Sequence, residues 1–406
     1  MNGIPRVAFF TDSFHEINGV AHTSRHFDAF ARRRRLPFLN VHAGPTTAYS
    51  EDGPVCTAEL ARTGFGFQLE QDMSFDLSFL RHRSRVRAHV QKFGADLVHI
   101  TGPSDVGILG ALIAHDLKLP LVASWHTNIH EFGARRLTKM LKFLPAPMVR
   151  KMAGVAEESV ILPLSLRYYQ LGKVLLAPNP ELVSMLQERT SRPTFLMQRG
   201  VDTEFFSPEK RLRTSSEVII GYVGRLSPEK SVRTLRDIEQ ALVATGIDNF
   251  RFLVVGDGHE RAWLEENIER VECTGVLRGE PLAEAYANMD IFAFPSATDT
   301  YGNVVLEAMA SGVPPVVTSG GGPKYLVNHG VTGLVSPDQQ AFLDNVVALA
   351  KDPNLLERMR IRAREFALCR YWHRIFEQVY DAYQYCLHLP APAATRSLPA
   401  AERTIA

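Results

Sequence analysis

At 406 residues the chain is long for one domain and comfortable for two of about 200. Its 45% apolar content supports well-filled cores, and no run approaches the roughly 18 apolar residues of a membrane-spanning helix. The net charge of +1 conceals an asymmetry: residues 1–200 carry 24 Lys/Arg against 17 Asp/Glu, the remainder nets −6, and ten of the 14 histidines lie in the first half. Such a bias turns the first half toward an anionic partner. The four cysteines (Cys56, Cys273, Cys369, Cys386) form no Cys-x-x-Cys pair, which predicts reduced thiols in a cytosol. The opening MNGIPRVAFF enters strand-like sequence at once, without the layout of a signal peptide, and no His-Glu-x-x-His string supports a zinc hydrolase.

Arg6 to Asp12 reads as a first strand, buried on both faces by its unbroken apolar run. The Gly19-bearing loop and a helical pattern through Arg35 follow, the opening of a nucleotide-binding α/β unit. Only Gly19 sits in that loop, so the Gly-x-Gly-x-x-Gly fingerprint of dinucleotide enzymes is missing; a glycine there still lets backbone approach phosphate oxygens. Arg32 to Arg35 end the helix, where cations suit the dipole. Strands at Leu39–His42, Leu97–Thr101 and Leu121–Trp125 alternate with helices at Phe79–Phe93 and Val106–Leu117, which predicts a mostly parallel sheet. Thr46–Gln71 has weak periodicity and reads as loops or an inserted hairpin. His126 follows its strand directly, at a carboxyl end where open α/β sheets place ligands, whereas His130 reads as structural. Residues 132–156 carry Arg135, Arg136, Lys139, Lys142, Arg150 and Lys151 with no acid, interleaved with an apolar face at helical spacing. That pattern fits either a surface helix or a segment lying on an anionic membrane. Val160–Pro163 and Val174–Pro178 read as the last strands of the first half, with the crossing near Arg189–Pro193.

The second half restarts the alternation with a strand at Val218–Val223 and then Gly224-Arg225-Leu226-Ser227-Pro228-Glu229-Lys230, opening a helix from Ser231. Arg225 and Lys230, a fork and a point charge, can both point at one diphosphate. Phe252 to Gly258 is another strand and glycine turn, where Gly256 would clear room for a base or phosphate. From Phe294 to Val317 come a strand end, the turn Tyr301-Gly302-Asn303, a compact helix from Val304 and a further strand. The helix N-terminus near Gly302–Val304 is a natural phosphate seat, Glu307 lies in reach of ribose hydroxyls, and Asp299 faces the other end of the phosphates. Ser319–Pro323 reads as a flexible loop, Phe342–Leu349 with Asn354–Leu368 as a long helix, and Tyr371–Leu387 as a terminal one.

Several of these strings resemble glycosyltransferase family 4, which has the two-domain GT-B architecture. Glu307, Ala308, Ala310, Gly312 and Pro314 match its donor signature, with Asp299 where Glu is commoner; Gly224 to Lys230 matches Gly-Gly-Arg-Leu-x-x-Glu-Lys-Gly. Ser124-Trp125-His126-Thr127 is similar to Ser-Tyr-His-Thr, Asn179 stands for a serine, and Arg199-Gly200-Val201-Asp202 parallels the hinge-proximal Asn-Gly-Val-Asp. The resemblance implies an α/β protein of two Rossmann-like doubly wound domains facing across a cleft. The expected divisions are 1–192 for the acceptor side, 193–371 for the donor side, 372–388 for a helix crossing back, and 389–406 for a disordered tail. It implies a retaining transfer of a hexose-type sugar from a nucleotide diphosphate sugar to a hydroxyl acceptor, with a lipid or cell-envelope glycan precursor as a candidate. Arg225, Lys230 and Gly19 would take the leaving diphosphate, Glu307 the ribose, Asp299 and His126 the sugar, and Leu277 would line the base pocket. No metal, other cofactor or nucleic acid is implied. The expected location is cytoplasmic and peripheral at the inner membrane face. The departures at Asp299 and Asn179 leave open a nucleotide-sugar epimerase, or a nucleotide-sugar-binding protein without turnover.

Overall fold

The computed structural model describes residues 3–11, 13–16, 18–63, 67–70, 73–126, 157–213 and 215–389. The basic stretch 132–156, His130 and the tail from 390 lie outside them. In the first half, β1 (Val7–Thr11) leads to α1 (Gly19–Arg34), then β2 (Phe38–Gly44), β3 (Ala48–Asp52), β4 (Val55–Ala61), β5 (Phe67–Glu70) and β6 (Met73–Phe75). Next come α2 (Arg83–Phe93), β7 (Leu97–Ile100), α3 (Asp105–Leu117), β8 (Leu121–Ser124), α4 (Leu162–Tyr169), β9 (Val174–Ala177), α5 (Pro180–Thr190) and β10 (Thr194–Leu196). The first sheet runs β10-β9-β8-β7-β1-β2-β4-β3, parallel except for β3. The segment of weak periodicity thus contains a hairpin, β3–β4, that extends the sheet edge, while β5 and β6 pair apart from it.

In this first half the structure departs from two expectations. Val160–Pro163 is helical, a π-turn at Glu157–Ile161 running into α4, because Pro163 falls in the first turn of the helix, where its missing N–H is not needed. The first sheet also reaches past the expected crossing at Arg189–Pro193, since Thr194–Leu196 pairs in parallel with Leu175–Ala177.

In the second half β11 (Val218–Val223), α6 (Thr234–Ala244), β12 (Phe250–Val255), α7 (Arg261–Asn267), β13 (Val271–Gly275), α8 (Glu280–Asn288) and β14 (Ile291–Phe294) come first. Then follow α9 (Asn303–Ala310), β15 (Pro315–Thr318), β16 (Leu334–Ser336), α10 (Gln339–Lys351), α11 (Pro353–Leu368) and α12 (Trp372–His388). The sheet order β13-β12-β11-β14-β15-β16 is the doubly wound 3-2-1-4-5-6 pattern, whose ligands sit where the order reverses, at the carboxyl ends of β11 and β14. The helix expected from Ser231 begins only at Thr234, because Ser231 (φ 52°) closes a tight turn over Pro228–Lys230. The expected long helix is two, divided at Asp352, which caps α11 ahead of Pro353.

The two crossings between the halves lie against each other: Val201 N donates to the Arg370 carbonyl at 3.0 Å, and a Cβ on Gly200 would come within 2.5 Å of the Trp372 backbone. Beyond that point α12 returns to the first sheet. Its Trp372, Ile375, Phe376, Val379 and Tyr383 share one buried cluster with Phe9, Phe27 and Phe38, and Phe376 stacks on Phe27 of α1 with centroids 4.4 Å apart. Arg34 at the end of α1 pairs with Glu377. The last helix therefore supplies one wall of the first domain's core. Phe376→Ala should destabilise the protein by about 3–5 kcal/mol, as large buried truncations do. Urea unfolding checks this, and a loss under about 1 kcal/mol would show that the helix merely leans on the domain.

Candidate active site

The site is built from loops at the carboxyl ends of both sheets. After β11, Gly224 and Arg225 leave the strand, and the turn at Pro228–Lys230 carries Lys230 toward the end of β14. There Asp299 receives it: Lys230 Nζ lies 2.7 Å from Asp299 Oδ1 and 2.8 Å from Oδ2, and the Ser296 hydroxyl donates to Oδ2 at 2.6 Å. Lys230 and Asp299 therefore neutralise each other where these two loops meet. The two residues expected to face opposite ends of a ligand are thus coupled before any ligand is considered.

Gly256 contacts Gly224 rather than open space. At φ 144° it sits where a Cβ would fall 1.9 Å from the Gly224 carbonyl, so it lets the loop after β12 press on the loop after β11. The Ser319–Pro323 loop, expected to be flexible, packs in the same way. Gly322 N donates to the Asp299 carbonyl at 2.6 Å, and a Cβ on Gly322 would lie 1.9 Å from the Thr300 carbonyl. Gly321 and Gly322 thus buttress the backbone of Asp299 and Thr300.

Gly302, at φ 93°, turns the chain into α9, whose first turn contains Asn303 and Val304 and presents N–H groups without intrahelical partners. The Asn303 side chain reaches across to the first domain, its Nδ2 lying 3.2 Å from where a Cβ on Gly19 would be. Gly19, expected in a loop, is instead the first residue of α1, so the N-termini of α1 and α9 face each other across the domains. Tyr301 turns away from the cleft; it is buried and its hydroxyl donates to the Arg199 carbonyl at 2.9 Å. Leu277 is half-buried and lines a cavity of about 390 Å³ with Leu253, Thr274 and Pro281.

His126 is buried just beyond β8. Arg199 Nη2 donates to its Nδ1 at 3.1 Å. A guanidinium only donates, so Nδ1 accepts and the ring proton sits on Nε2. Burial, followed by the nearby Arg199 charge, holds His126 well below the usual histidine range, so the ring is neutral at pH 7. The Thr300 hydroxyl donates to the His126 carbonyl at 3.1 Å, and Asn179 Nδ2 donates to the Thr300 carbonyl at 2.9 Å. The departure at Asn179 thus caps α5 and fastens the second domain's loop to the first.

Arg199 was not singled out from sequence. Its Nη1 donates to the Gly19 carbonyl at 2.6 Å and to Thr23, so one guanidinium orients His126 and holds the start of α1. Burial lowers it to about 10, still charged at neutral pH. The available signal was a charge standing in the Gly-Val-Asp string where the resembled family has an amide.

The family comparisons agree with this geometry. The Glycosyltransferase Family 4 model matches residues 51–205, and the Glycosyl transferases group 1 model matches residues 217–352. A GDP-mannose-dependent alpha-mannosyltransferase of Mycolicibacterium smegmatis is 31% identical over 311 residues, spanning 74% of this chain and 76% of that protein. The chain belongs to glycosyltransferase family 4. A second GDP-mannose-dependent alpha-mannosyltransferase, from Corynebacterium glutamicum, is 28% identical over 309 residues, 73% of this chain and 69% of that protein. In fold, the protein is similar to sucrose-phosphate synthase from Thermosynechococcus elongatus, with a TM-score of 0.65 at 18% identity, covering 93% of this chain and 98% of that one. This family 4 member is a nucleotide-sugar-dependent glycosyltransferase of GT-B architecture. The epimerase alternative finds no support among its relatives.

Glu307 projects from α9 and accepts from the Tyr286 hydroxyl at 2.8 Å. Enclosure by protein raises its carboxyl to about 7, with the Tyr286 hydrogen bond pulling the other way. The folded-state value lies above the ordinary 4.5, so ionising Glu307 costs the folded protein stability as pH rises from about 4.5 to about 7. Glu307→Gln should therefore raise the ligand-free melting temperature at pH 8, by a free energy on the order of 1–3 kcal/mol, and leave it nearly unchanged at pH 4.5. Melting curves at the two pH values check this; an equal shift at both would contradict the raised carboxyl.

Proposed function

We propose that this family 4 enzyme transfers a hexose with retention of anomeric configuration, with GDP-mannose the first donor to try, onto a hydroxyl acceptor. The observation that carries the reading is the Lys230–Asp299 pair at the carboxyl ends of β11 and β14, where a doubly wound sheet seats its ligand. The names of the two mannosyltransferase relatives support the choice of donor.

In this reading Arg225, Lys230 and the first turn of α9 receive the nucleotide's diphosphate, with Gly19 and Gly224 allowing close backbone approach and Gly256 supporting the Gly224 loop from behind. Glu307 takes the ribose hydroxyls, and Leu277 borders the base. The bond between the anomeric carbon and the phosphate oxygen breaks, and the charge left on that oxygen falls to Arg225 and Lys230. The acceptor hydroxyl attacks the same face of the sugar and gives its proton to the departing phosphate. His126, with its proton on Nε2, donates to the sugar, and Asp299, released from Lys230, orients it. Positive charge at the diphosphate is protein-borne, so this chemistry asks for no metal there.

Arg225→Ala and Lys230→Ala should each lower GDP-mannose turnover by about 100-fold or more with the fold intact, the usual cost of removing a preorganised charge stabiliser. Near-wild-type rates in either variant would remove the diphosphate assignment. Transfer from UDP-glucose at the rate expected of GDP-mannose would overturn the donor.

The acceptor is proposed to be anionic or lipid-linked, met at a membrane surface. The net +7 of residues 1–200, the acid-free stretch 132–156 and the exposed Arg85 and Arg87 of α2 support this. Among the described residues no helix is long and apolar enough to cross a membrane. The protein should sediment with vesicles containing anionic lipid and dissociate at high salt. Equal behaviour with neutral vesicles would count against a membrane-bound acceptor.

A further inference from the structure

Away from the residues given to the donor, the first sheet brings two histidines and a carboxylate together. His15 lies in the loop between β1 and α1, His42 on β2 and Glu59 on β4. Parallel pairing sets His42 directly beside Glu59. The loop after β1 folds over them, its Phe14 ring stacked on His42 with centroids 4.2 Å apart. As a result, His15 Nε2 stands 3.2 Å and His42 Nε2 3.7 Å from the same Glu59 oxygen, Oε2. One ligand atom from each of the three residues lies within 4.8 Å of the others.

A surface ion pair accounts for His15 and Glu59 but not for the second imidazole. His42 is buried on β2, and its Nε2 faces the Glu59 carboxylate from inside the fold. A buried ring whose Nε2 is turned to a carboxylate shared with a second histidine has the form of a metal ligand. Ligands in a tetrahedral zinc site, with bonds of about 2.0–2.1 Å, stand roughly 3.3–3.4 Å apart, between the two separations seen here.

The surroundings match the outer shell of such a site. The Asn40 side-chain oxygen lies 3.4 Å from His42 Nδ1, which places the ring proton on Nδ1 and keeps Nε2 for a ligand bond. The other carboxylate oxygen of Glu59 is held by the Thr46 backbone N–H at 3.0 Å and by the Thr46 hydroxyl, which fixes the orientation of Oε2. Orienting hydrogen bonds behind both a histidine and a carboxylate ligand are what metal sites require.

We propose that His15, His42 and Glu59 bind one divalent transition-metal ion of the Zn2+ type, leaving a fourth position to water or a substrate oxygen. Two imidazoles and one carboxylate favour zinc over magnesium, which prefers an all-oxygen shell. The ion would pin the loop that runs from β1 to Gly19, whose carbonyl Arg199 already holds. This site shares no residue with the proposed diphosphate contacts, so the protein-borne charge of the transfer step is unaffected by it.

The test is calorimetric titration of tag-free, EDTA-treated full-length protein with Zn2+, alongside Co2+ as a visible probe. The wild type should bind Zn2+ tightly and give tetrahedral Co2+ absorption bands, and Mg2+ should not compete. His15→Ala, a change at an exposed side chain, should abolish the bands and weaken Zn2+ binding by about 100-fold or more. Thr46→Ala should weaken it by about 10-fold, the ordinary effect of losing an outer-shell partner. His373→Ala, which removes an exposed His–Glu pair on α12, should change nothing. Retention of tight Zn2+ binding by His15→Ala, its loss in His373→Ala, or absence of tight binding in the wild type would each overturn the proposal.

Discussion

A buried guanidinium with no counter-anion among its described hydrogen-bond partners is the constraint around which the two domains meet. The described partners of Arg199 are a carbonyl, a hydroxyl and an imidazole, none of them an anion. Losing any one of these three partners would leave a buried charged donor unmet, at a cost on the order of 1–3 kcal/mol or more, so those neighbours are held to their places. Through that requirement the start of α1 at Gly19, the His126 tautomer and, by way of the Arg199 carbonyl, the Tyr301 turn are fixed relative to one another. Thr300 and Asn179 then complete the attachment between domains. The loop that carries Asp299 and Gly302 depends on this junction, because these two residues flank the ones that are tied down.

Much of the second domain was legible from sequence because its central strands are buried on both faces and its turns need glycine. Buried parallel strands read as continuous apolar runs, and Gly224, Gly256 and Gly302 fall where backbone must turn or touch backbone. What each glycine touches was not legible. Gly256 meets Gly224 and the Ser319–Pro323 loop meets Asp299 and Thr300, contacts set by tertiary packing that a linear pattern cannot carry. Tyr301 stood beside site residues in sequence, yet its ring found a buried carbonyl instead of the cleft.

The first domain was harder to read for physical reasons. Val160–Pro163 is apolar and short, a pattern that strand and buried helix share, and only the tertiary setting of Pro163 decides between them. The reach of the sheet to β10 depends on three residues, Thr194–Leu196, too few for a period to register. Arg199 belonged to a recognisable string, but its role arises from residues 180 and 73 positions away in sequence, Gly19 and His126. Pairings that close over such distances are invisible to local spacing. The His15–His42–Glu59 cluster has the same origin, since parallel register and a folded-over loop create it.

The account's central claim is that donor phosphates and Asp299 compete for Lys230, so that binding the donor frees the carboxylate for the sugar. Calorimetric affinity for GDP and UDP in Asp299→Asn tests this most directly. Removing the competing charge should tighten binding of whichever nucleotide the wild type prefers, while sugar transfer is lost. Unchanged or weaker nucleotide binding in that variant would contradict the competition and separate Lys230 from the diphosphate.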